Sequence, residues 1–380
     1  MKQLFRHTFA ALALVCMALG CVSIDHESYD VMSELTISVS VSNTPGIPIT
    51  NAPESKAVID ASKYIGPEHD GEKIQTLRIV IVRPDGTIEH NRYMDFQGAV
   101  KKAYMEVADI AFKVVGPEQK KVYLFVNENS VKKDMTGAET KIVNYDFNTL
   151  EVGKQFPADA IADLKISLFD SYDTIPCEEH LATASLPMSE CHTVQMPAMD
   201  HHVDLYVTRA AVKFTYIFDN QTSQPYSLSQ LTISKGSRLE YYMPRITYTG
   251  DPFTNDFAVE NYTVPNINNN DYYIFGRFAP GDGSLELSAG DVTRLQSFYL
   301  LEGKYEDPEK VADSNGKQLN YSMSATLDGV VYESYFPDVP WLPRNTHVVV
   351  VITISNHNVE WTVDVYPYGE YWLNPGFGLE

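Results

Sequence analysis

Apolar residues alternate with polar ones through most of this chain, the period that puts every second side chain on one face of a β-strand. The cleanest run comes early: Leu35, Ile37, Val39 and Val41 alternate with Thr36, Ser38 and Ser40. This predicts a strand over 34–42 with one buried face. Residues 43–73 then become rich in Pro, Asn, Asp and Gly and read as a long connection. Leu77 to Val82 is a nearly continuous apolar run that stops at Pro84-Asp85-Gly86, where Pro presets φ and Gly supplies a positive φ. Ile110, Phe112 and Val114 alternate, Gly116-Pro117 turns the chain, and Val122 to Val126 returns, which predicts a hairpin. Helical spacing occurs within Phe156–Leu168, centred on 158–164.

The phase of the alternation changes once in an informative place. Val203, Leu205 and Val207 sit on odd positions, whereas Ala210, Val212, Phe214, Tyr216 and Phe218 sit on even ones. A period of two does not change parity without a bulge or a change of sheet. The switch at Thr208-Arg209 therefore reads as the chain leaving one β-sandwich and entering another. Further strands are predicted at Leu231–Ile233, Tyr272–Phe275, Phe298–Leu301, Val348–Ile354 and Trp361–Val365, separated by clusters rich in Asn, Asp and Gly. No short repeat is present, which disfavours solenoids and propellers. The expected fold is all-β, with an N-terminal sandwich over 21–207 and a C-terminal one over 208–380.

Residues 1–20 have a different character. Lys2 and Arg6 precede an apolar run from Phe9 to Leu19, and the segment closes as Ala18-Leu19-Gly20-Cys21. That run is too short to span a bilayer core of about 30 Å permanently and has the layout of an export signal. A small residue before Cys is the pattern cut by lipoprotein signal peptidase, which would leave Cys21 as a lipidated N-terminus. Ala18 stands where Leu is usual, and an ordinary signal peptide with Cys21 left as a thiol is the alternative.

Composition narrows the partners. Removing residues 1–20 takes away Lys2 and Arg6 and lowers the formal charge from −21 to −23. So acidic a chain is not expected to hold nucleic acid through its phosphates, which takes clustered Lys and Arg, and membrane attachment would come from lipid on Cys21 rather than from charge. Cys16 leaves with the signal, so Cys177 and Cys191 remain, in a compartment that permits disulfides. A bond between them would close a loop of about 15 residues, worth about 3 kcal/mol; two buried thiols are the alternative.

Motifs for chemistry are sparse. The sequence has no nucleophile elbow, no His-Glu-x-x-His and no phosphate-cradling glycine loop, so no catalytic activity and no cofactor are expected. Asp200, His202 and Asp204 would share one face of a strand and are the best metal candidates, although a solvated strand start explains them equally. Asp173-Thr174-Ile175 has the form of a bacterial O-glycosylation triplet. Asn220-Gln-Thr222, Asn261-Tyr-Thr263 and Asn320-Tyr-Ser322 fit the N-glycosylation pattern and read as coincidence in an envelope protein.

Five strings occur in a characteristic order: Leu186-Pro187-Met188-Ser189, Arg209-Ala210-Ala211-Val212-Lys213-Phe214, Phe298-Tyr299-Leu300-Leu301-Glu302, Arg344-Asn345-Thr346-His347 and Trp361-Thr362-Val363-Asp364-Val365-Tyr366-Pro367. In this order and spacing, from about Leu77 to Pro367, the chain resembles the fimbrillins of type V pili, the FimA/Mfa-like subunits of Bacteroides-like bacteria. The resemblance implies two transthyretin-like β-sandwiches, export as a lipoprotein precursor to the outer membrane, and assembly with other fimbrial subunits into an adhesive surface filament that meets a host or bacterial surface ligand. In that family a trypsin-like protease removes the N-terminal strand, and an extended C-terminal strand of a neighbour fills the groove.

Carried onto this sequence, Leu35, Ile37, Val39 and Val41 form the removable strand over 34–42. The donor segment is 361–380, with Trp361, Val363, Val365, Tyr368, Trp372 and Phe377 as its apolar positions. The chain departs from the family in having no Arg between Val22 and Leu77. Lys56 and Lys63 are therefore the candidate processing sites, and the position of this subunit in a filament (stalk, tip, accessory or anchor) stays open. The competing expectation is a monomeric outer-membrane lipoprotein that binds glycans, stacking sugar rings on the cluster Tyr366, Tyr368, Tyr371 and Trp372.

Overall fold

The computed structural model describes residues 31–42, 68–134, 136–170, 175–181, 184–234, 239–250, 257–262, 272–275, 284–304, 322–335, 341–342, 344–356 and 358–367. The first seven long strands are β1 (Val31–Val41), β2 (Thr76–Val82), β3 (Ile88–Asp95), β4 (Glu106–Gly116), β5 (Glu118–Val126), β6 (Met188–Met196) and β7 (His201–Arg209). Their lateral order is β3-β2-β5-β6-β7-β1-β4. Only Thr208 and Arg209 of β7 pair with β6, while its first seven residues pair with β1. The sheet thus folds over at β7 into two layers, β3-β2-β5-β6 and β7-β1-β4. One apolar core joins Leu35, Ile37 and Val39 to Leu77, Ile79, Ile81, Phe112, Leu124 and Met196 across them.

Every residue of β2 is buried, which explains its nearly continuous apolar run; Arg78, the one charged residue in it, is paired with Glu128. Leu77, Ile79 and Ile81 face β1. Val80 and Val82 face the opposite way, under the segment that carries Ile142, Phe147, Leu150 and the short helix α1 (Ala158–Ala162). The turn at Pro84-Asp85-Gly86 forms as expected, with Gly86 at φ 85° and the Asp85 carboxylate accepting the Thr87 N–H at 2.9 Å.

The expected hairpin at 110–126 does not form. β4 pairs with β1, whereas β5 pairs with β2 and β6. Gly116 and Pro117 carry the chain from one layer to the other. A Cβ on Gly116 would lie 2.5 Å from the Pro197 carbonyl oxygen, so only glycine lets the two layers close there. Alternation reports which face of a strand is buried; it does not report the neighbouring strand.

Two further sheets are built from β8 (Val212–Asn220), β9 (Tyr226–Ser234), β10 (Tyr272–Phe275), β11 (Leu285–Leu287), β12 (Val292–Arg294), β13 (Phe298–Leu300), β14 (Ser322–Leu327), β15 (Val330–Tyr335), β16 (Thr346–Ile354) and β17 (Val359–Pro367). One sheet runs β12-β8-β16-β17, with β13 also on β8; the other runs β10-β9-β14-β15, with β11 also on β9. β8 and β16 are buried along their whole length. Phe214, Tyr216, Val348 and Val350 share a core with Leu231, Met323 and Ala325 of the facing sheet. The parity switch in the sequence falls where β7 ends and the chain passes through buried Ala210 and Ala211 into β8, in a different sheet.

Candidate functional site: the slot filled by the first strand

β1 lies inside its layer, not at an edge. It runs parallel to β7, in register from Leu35 opposite His201 to Val41 opposite Val207. On its other side it runs antiparallel to β4, with Leu35 opposite Phe112 and Ile37 opposite Ile110, and a bulge between Ile37 and Val39. Leu35, Ile37 and Val39 are fully buried and Val41 is buried to within 4%. Four such side chains contribute about 8 kcal/mol of transfer free energy as an upper bound. The slot is therefore long, apolar on its inner face and lined by unpaired backbone groups on both walls whenever β1 is absent. The Asp200 carboxylate accepts the Glu34 N–H at 2.8 Å near the exposed start of the strand.

The far end of the slot is closed by a buried polar network. Ser42 N–H donates to the Val207 carbonyl at 2.8 Å, and the Ser42 carbonyl accepts from Asn345 Nδ2 at 2.8 Å and from Arg209 Nη1 at 3.5 Å. Arg209 is fully buried. Its Nε donates to the Glu72 carbonyl at 2.8 Å, its Nη2 to Glu68 Oε1 at 2.7 Å, and its Nη1 to Asn345 Oδ1 at 3.2 Å. The Glu72 carboxylate is itself held by Lys213 at 3.0 Å, by the Tyr299 hydroxyl at 2.8 Å and by the His69 N–H at 2.6 Å. Two cations thus meet two carboxylates, the balance that buried charge requires. Burial pushes the Glu68 carboxyl above its ordinary value, and the Arg209 guanidinium opposes that rise. Ser42 and Glu68, which flank the 43–67 connection, are both bonded to Arg209, so the connection leaves and re-enters the fold at one residue.

Beside this network lies a second buried ion pair, Arg344 with Glu302, and Arg344 Nη1 also donates to the Tyr242 carbonyl at 2.8 Å. The Glu240 Oε2 atom is buried with no hydrogen-bond partner; burial and the neighbouring Glu302 charge raise its carboxyl above the usual range. His347 Nε2 lies 2.8 Å from Thr215 Oγ1, and burial together with the Lys213 charge holds its ring well below the ordinary value. Sequence patterning passed over Glu72 because it scores charged residues as solvent-facing, whereas Arg209 and Asn345 stand in the ordered strings with no role at this site attached to them. The signal that could have found them is the parity break at 208–209, which marks Arg209 as a residue inside a junction.

Other expected site residues fall as follows. Trp361, Val363 and Val365 lie in β17, which pairs antiparallel with β16 from Thr346 opposite Pro367 to Ile354 opposite Val359. This segment completes its own sandwich. Cys21, Lys56, Lys63, Tyr368, Trp372 and Phe377 lie outside the described residues, as do Asp173 and Thr174.

The Cys177–Cys191 pairing is not formed; both are free thiols. Cys177 is committed to a bridge with Phe298, with its Sγ 2.9 Å from His180 Nδ1, whereas Cys191 sits within β6 opposite Tyr123. Burial pushes both thiols up, Cys191 to about 11, the opposite of what a thiolate nucleophile needs. The His202 ring bonds Asp204 at 3.0 Å while Asp200 is used by Glu34, and the described residues contain no cluster able to hold a metal ion. Asn220 is buried, with its amide donating to the carbonyls of Gln224, Leu287 and Ser288, so its place in an N-glycosylation pattern is incidental.

No protein-family profile matches the chain, and no curated protein matches it in sequence. Solved structures do match it. The tip fimbrial protein Mfa3 from Porphyromonas gingivalis, in a C-terminally truncated form, superimposes with a TM-score of 0.52 at 10% identity, covering 88% of this chain and 99% of that one. The fold is similar to that of this fimbrial tip protein. At this identity the likeness is one of fold, and it meets the all-β, two-sandwich expectation drawn from the alternation and from the five ordered strings. A fimbrial assembly protein from Parabacteroides distasonis also matches, at 11% identity and a TM-score of 0.42, over 88% of this chain and 96% of that one.

Proposed function

We propose that this chain is a structural and adhesive subunit of a cell-surface fimbrium, exported as a lipoprotein precursor with lipid on Cys21 and assembled by strand exchange between subunits. The placement of β1 is the observation that carries this reading. β1 is an interior strand, apolar on its inner face, and belongs to its sandwich only through the 43–67 connection, which carries Lys56 and Lys63. A cut there converts β1 from part of the chain into a ligand of the slot. Its departure leaves two rows of backbone groups and four side-chain sites that a strand of another subunit can satisfy, which is β-augmentation. The fold of a fimbrial tip protein supports the same reading.

The donor is narrowed by β17. Residues 359–367 are paired along their length with β16, so the part of the C-terminal segment that could be given to a neighbour starts after Pro367 and carries Tyr368, Trp372 and Phe377. The lipid then acts as a transport device for the precursor, and the surface to which it delivers the subunit is the outer membrane.

Limited digestion of the purified full chain with a lysine-specific protease should release the segment that precedes the cut and give a ladder of multimers that SDS and heat dissolve. Exclusive retention of monomer after complete cleavage at Lys56 or Lys63 would overturn strand exchange. In that case the glycan-binding expectation would be the one to pursue, by retardation on immobilised glycans.

A further inference from the structure

The end of the β1 slot selects the register of its occupant. Alternation alone cannot do this: a strand with apolar residues at every second position presents the same face when slid by two residues. The structure contains a stop. Alongside β7 and β8 runs a single parallel lane, filled first by β1 and then by β16. Val207 carbonyl accepts from Ser42 N–H at 2.8 Å, Ala211 carbonyl accepts from Asn345 N–H at 2.8 Å, and β16 takes over from Thr346 opposite Val212. Beyond Ser42 the lane is already occupied.

We propose that Asn345 and Arg209 form a carbonyl clamp that fixes the register of any strand entering the β1 slot, so that the partner strand must end at the clamp with a main-chain carbonyl in the place of Ser42. This deepens the strand-exchange reading and rests on it for the identity of the occupant, a strand of another subunit. The clamp is built before the occupant arrives. Asn345 adopts φ 58°, a left-handed conformation that asparagine tolerates, and its main-chain N–H is fixed on Ala211. Its Oδ1 faces Arg209 Nη1 at 3.2 Å, which directs Nδ2 at the incoming carbonyl. Arg209 is held in turn by Glu68 and Glu72. The contact is with a backbone oxygen, so it reads position and polarity, not side-chain identity. A strand entering antiparallel to β7, or two residues short, forfeits the bond from Asn345 Nδ2 to the Ser42-position carbonyl in a buried site.

The test uses the full chain cut at a protease site introduced between residues 43 and 67, loaded with labelled peptides covering Val31–Ser42. One peptide ends in Ser42 amide. The other ends in an ethanolamine cap after Val41, which keeps the hydroxymethyl group and the N–H that bonds Val207, and removes the terminal carboxamide with its carbonyl. The cut wild-type chain should release the capped peptide about tenfold faster than the amide. Asn345→Gly, which keeps φ accessible while deleting the side chain, should bring the two release rates to within about twofold, the remainder coming from Arg209. Equal release of the two peptides by the wild type overturns the clamp.

A second readout does not depend on exchange. In the intact chain, Asn345→Gly and Asn345→Asp should each raise amide hydrogen exchange at Val41 and Ser42 about tenfold relative to Ile37. Unchanged exchange there overturns the clamp as well. If no peptide enters the cut chain, strand exchange fails, and the intact-chain measurement still decides the clamp.

Discussion

In the first sandwich the strand beside β7 comes from the N-terminal side of the chain and is joined to its own fold by a long connection. In the second, the equivalent strand beside β8 comes from the C-terminal side and continues by a tight turn into β17. Geometrically the two positions match: β1 is parallel to β7 and antiparallel to β4, and β16 is parallel to β8 and antiparallel to β17. Inward burial matches as well, although the outer face of β1 is part-exposed at Glu34, Thr36 and Ser40 whereas β16 is buried on both faces. What differs is attachment. Similar inward packing with unequal tethering means that a single cut can detach β1 without touching β16. Release of one strand is thus a property of connectivity first, with the part-exposed outer face of β1 adding to it.

The sharpest way to break this comparison is to put a charge in both strands. Ile37 and Val350 are each fully buried, so Ile37→Asp and Val350→Asp should each lower unfolding free energy by about 4 kcal/mol, measured by urea titration. In a chain cut within 43–67, Ile37→Asp should also release β1 as a separate fragment on size exclusion, whereas Val350→Asp should not. Fragment release by both, or by neither, would remove the distinction.

A smaller effect separates the two sides of the junction by pH. The Glu240 carboxyl is raised above its ordinary 4.5 by burial and by Glu302. The folded state therefore binds more protons than the unfolded one above about pH 4.5, and stability must fall as pH rises through the folded value. Glu240→Gln cannot ionise, so it should flatten that decline and raise Tm by about 2 °C or more at pH 8 while leaving it nearly unchanged at pH 4. An identical pH profile for variant and wild type would contradict the assignment.

The smallest effect concerns an edge. Asp328 and Gly329 turn β14 into β15 at φ 48° and 78°, and a Cβ on Gly329 would meet open space. Gly329→Ala should cost about 1 kcal/mol through backbone conformation alone, without altering β1 exchange.

Much of this architecture was legible in the amino-acid order. The alternation at 35–41 located β1, the nearly continuous apolar run at 77–82 marked a strand covered on both faces, and the parity change at 208–209 marked the passage between sheets. The unread part is long-range. Gly116-Pro117 looked like a hairpin turn because turn residues announce a reversal and say nothing of which layer the chain joins. Trp361, Val363 and Val365 looked like a strand available to others because their alternation cannot show that β16 of the same chain is their partner. The clamp was hidden for a third reason: Ser42, Arg209 and Asn345 are far apart in sequence, and their roles arise from one carbonyl, one buried guanidinium and one left-handed backbone angle brought together at the junction.

The parallel alignment of β1 with β7 has a mechanical consequence. In a filament assembled as proposed, a donated strand in the β1 slot is attached to its own subunit at the end near Val31, while β7 passes into the second sandwich at the end near Arg209. Tension along the filament then pulls the two strands from opposite ends, so their hydrogen bonds are loaded together in shear and cannot be opened one at a time like a zipper. Resistance to flow would come from the direction in which the strand lies, with no additional bond between subunits.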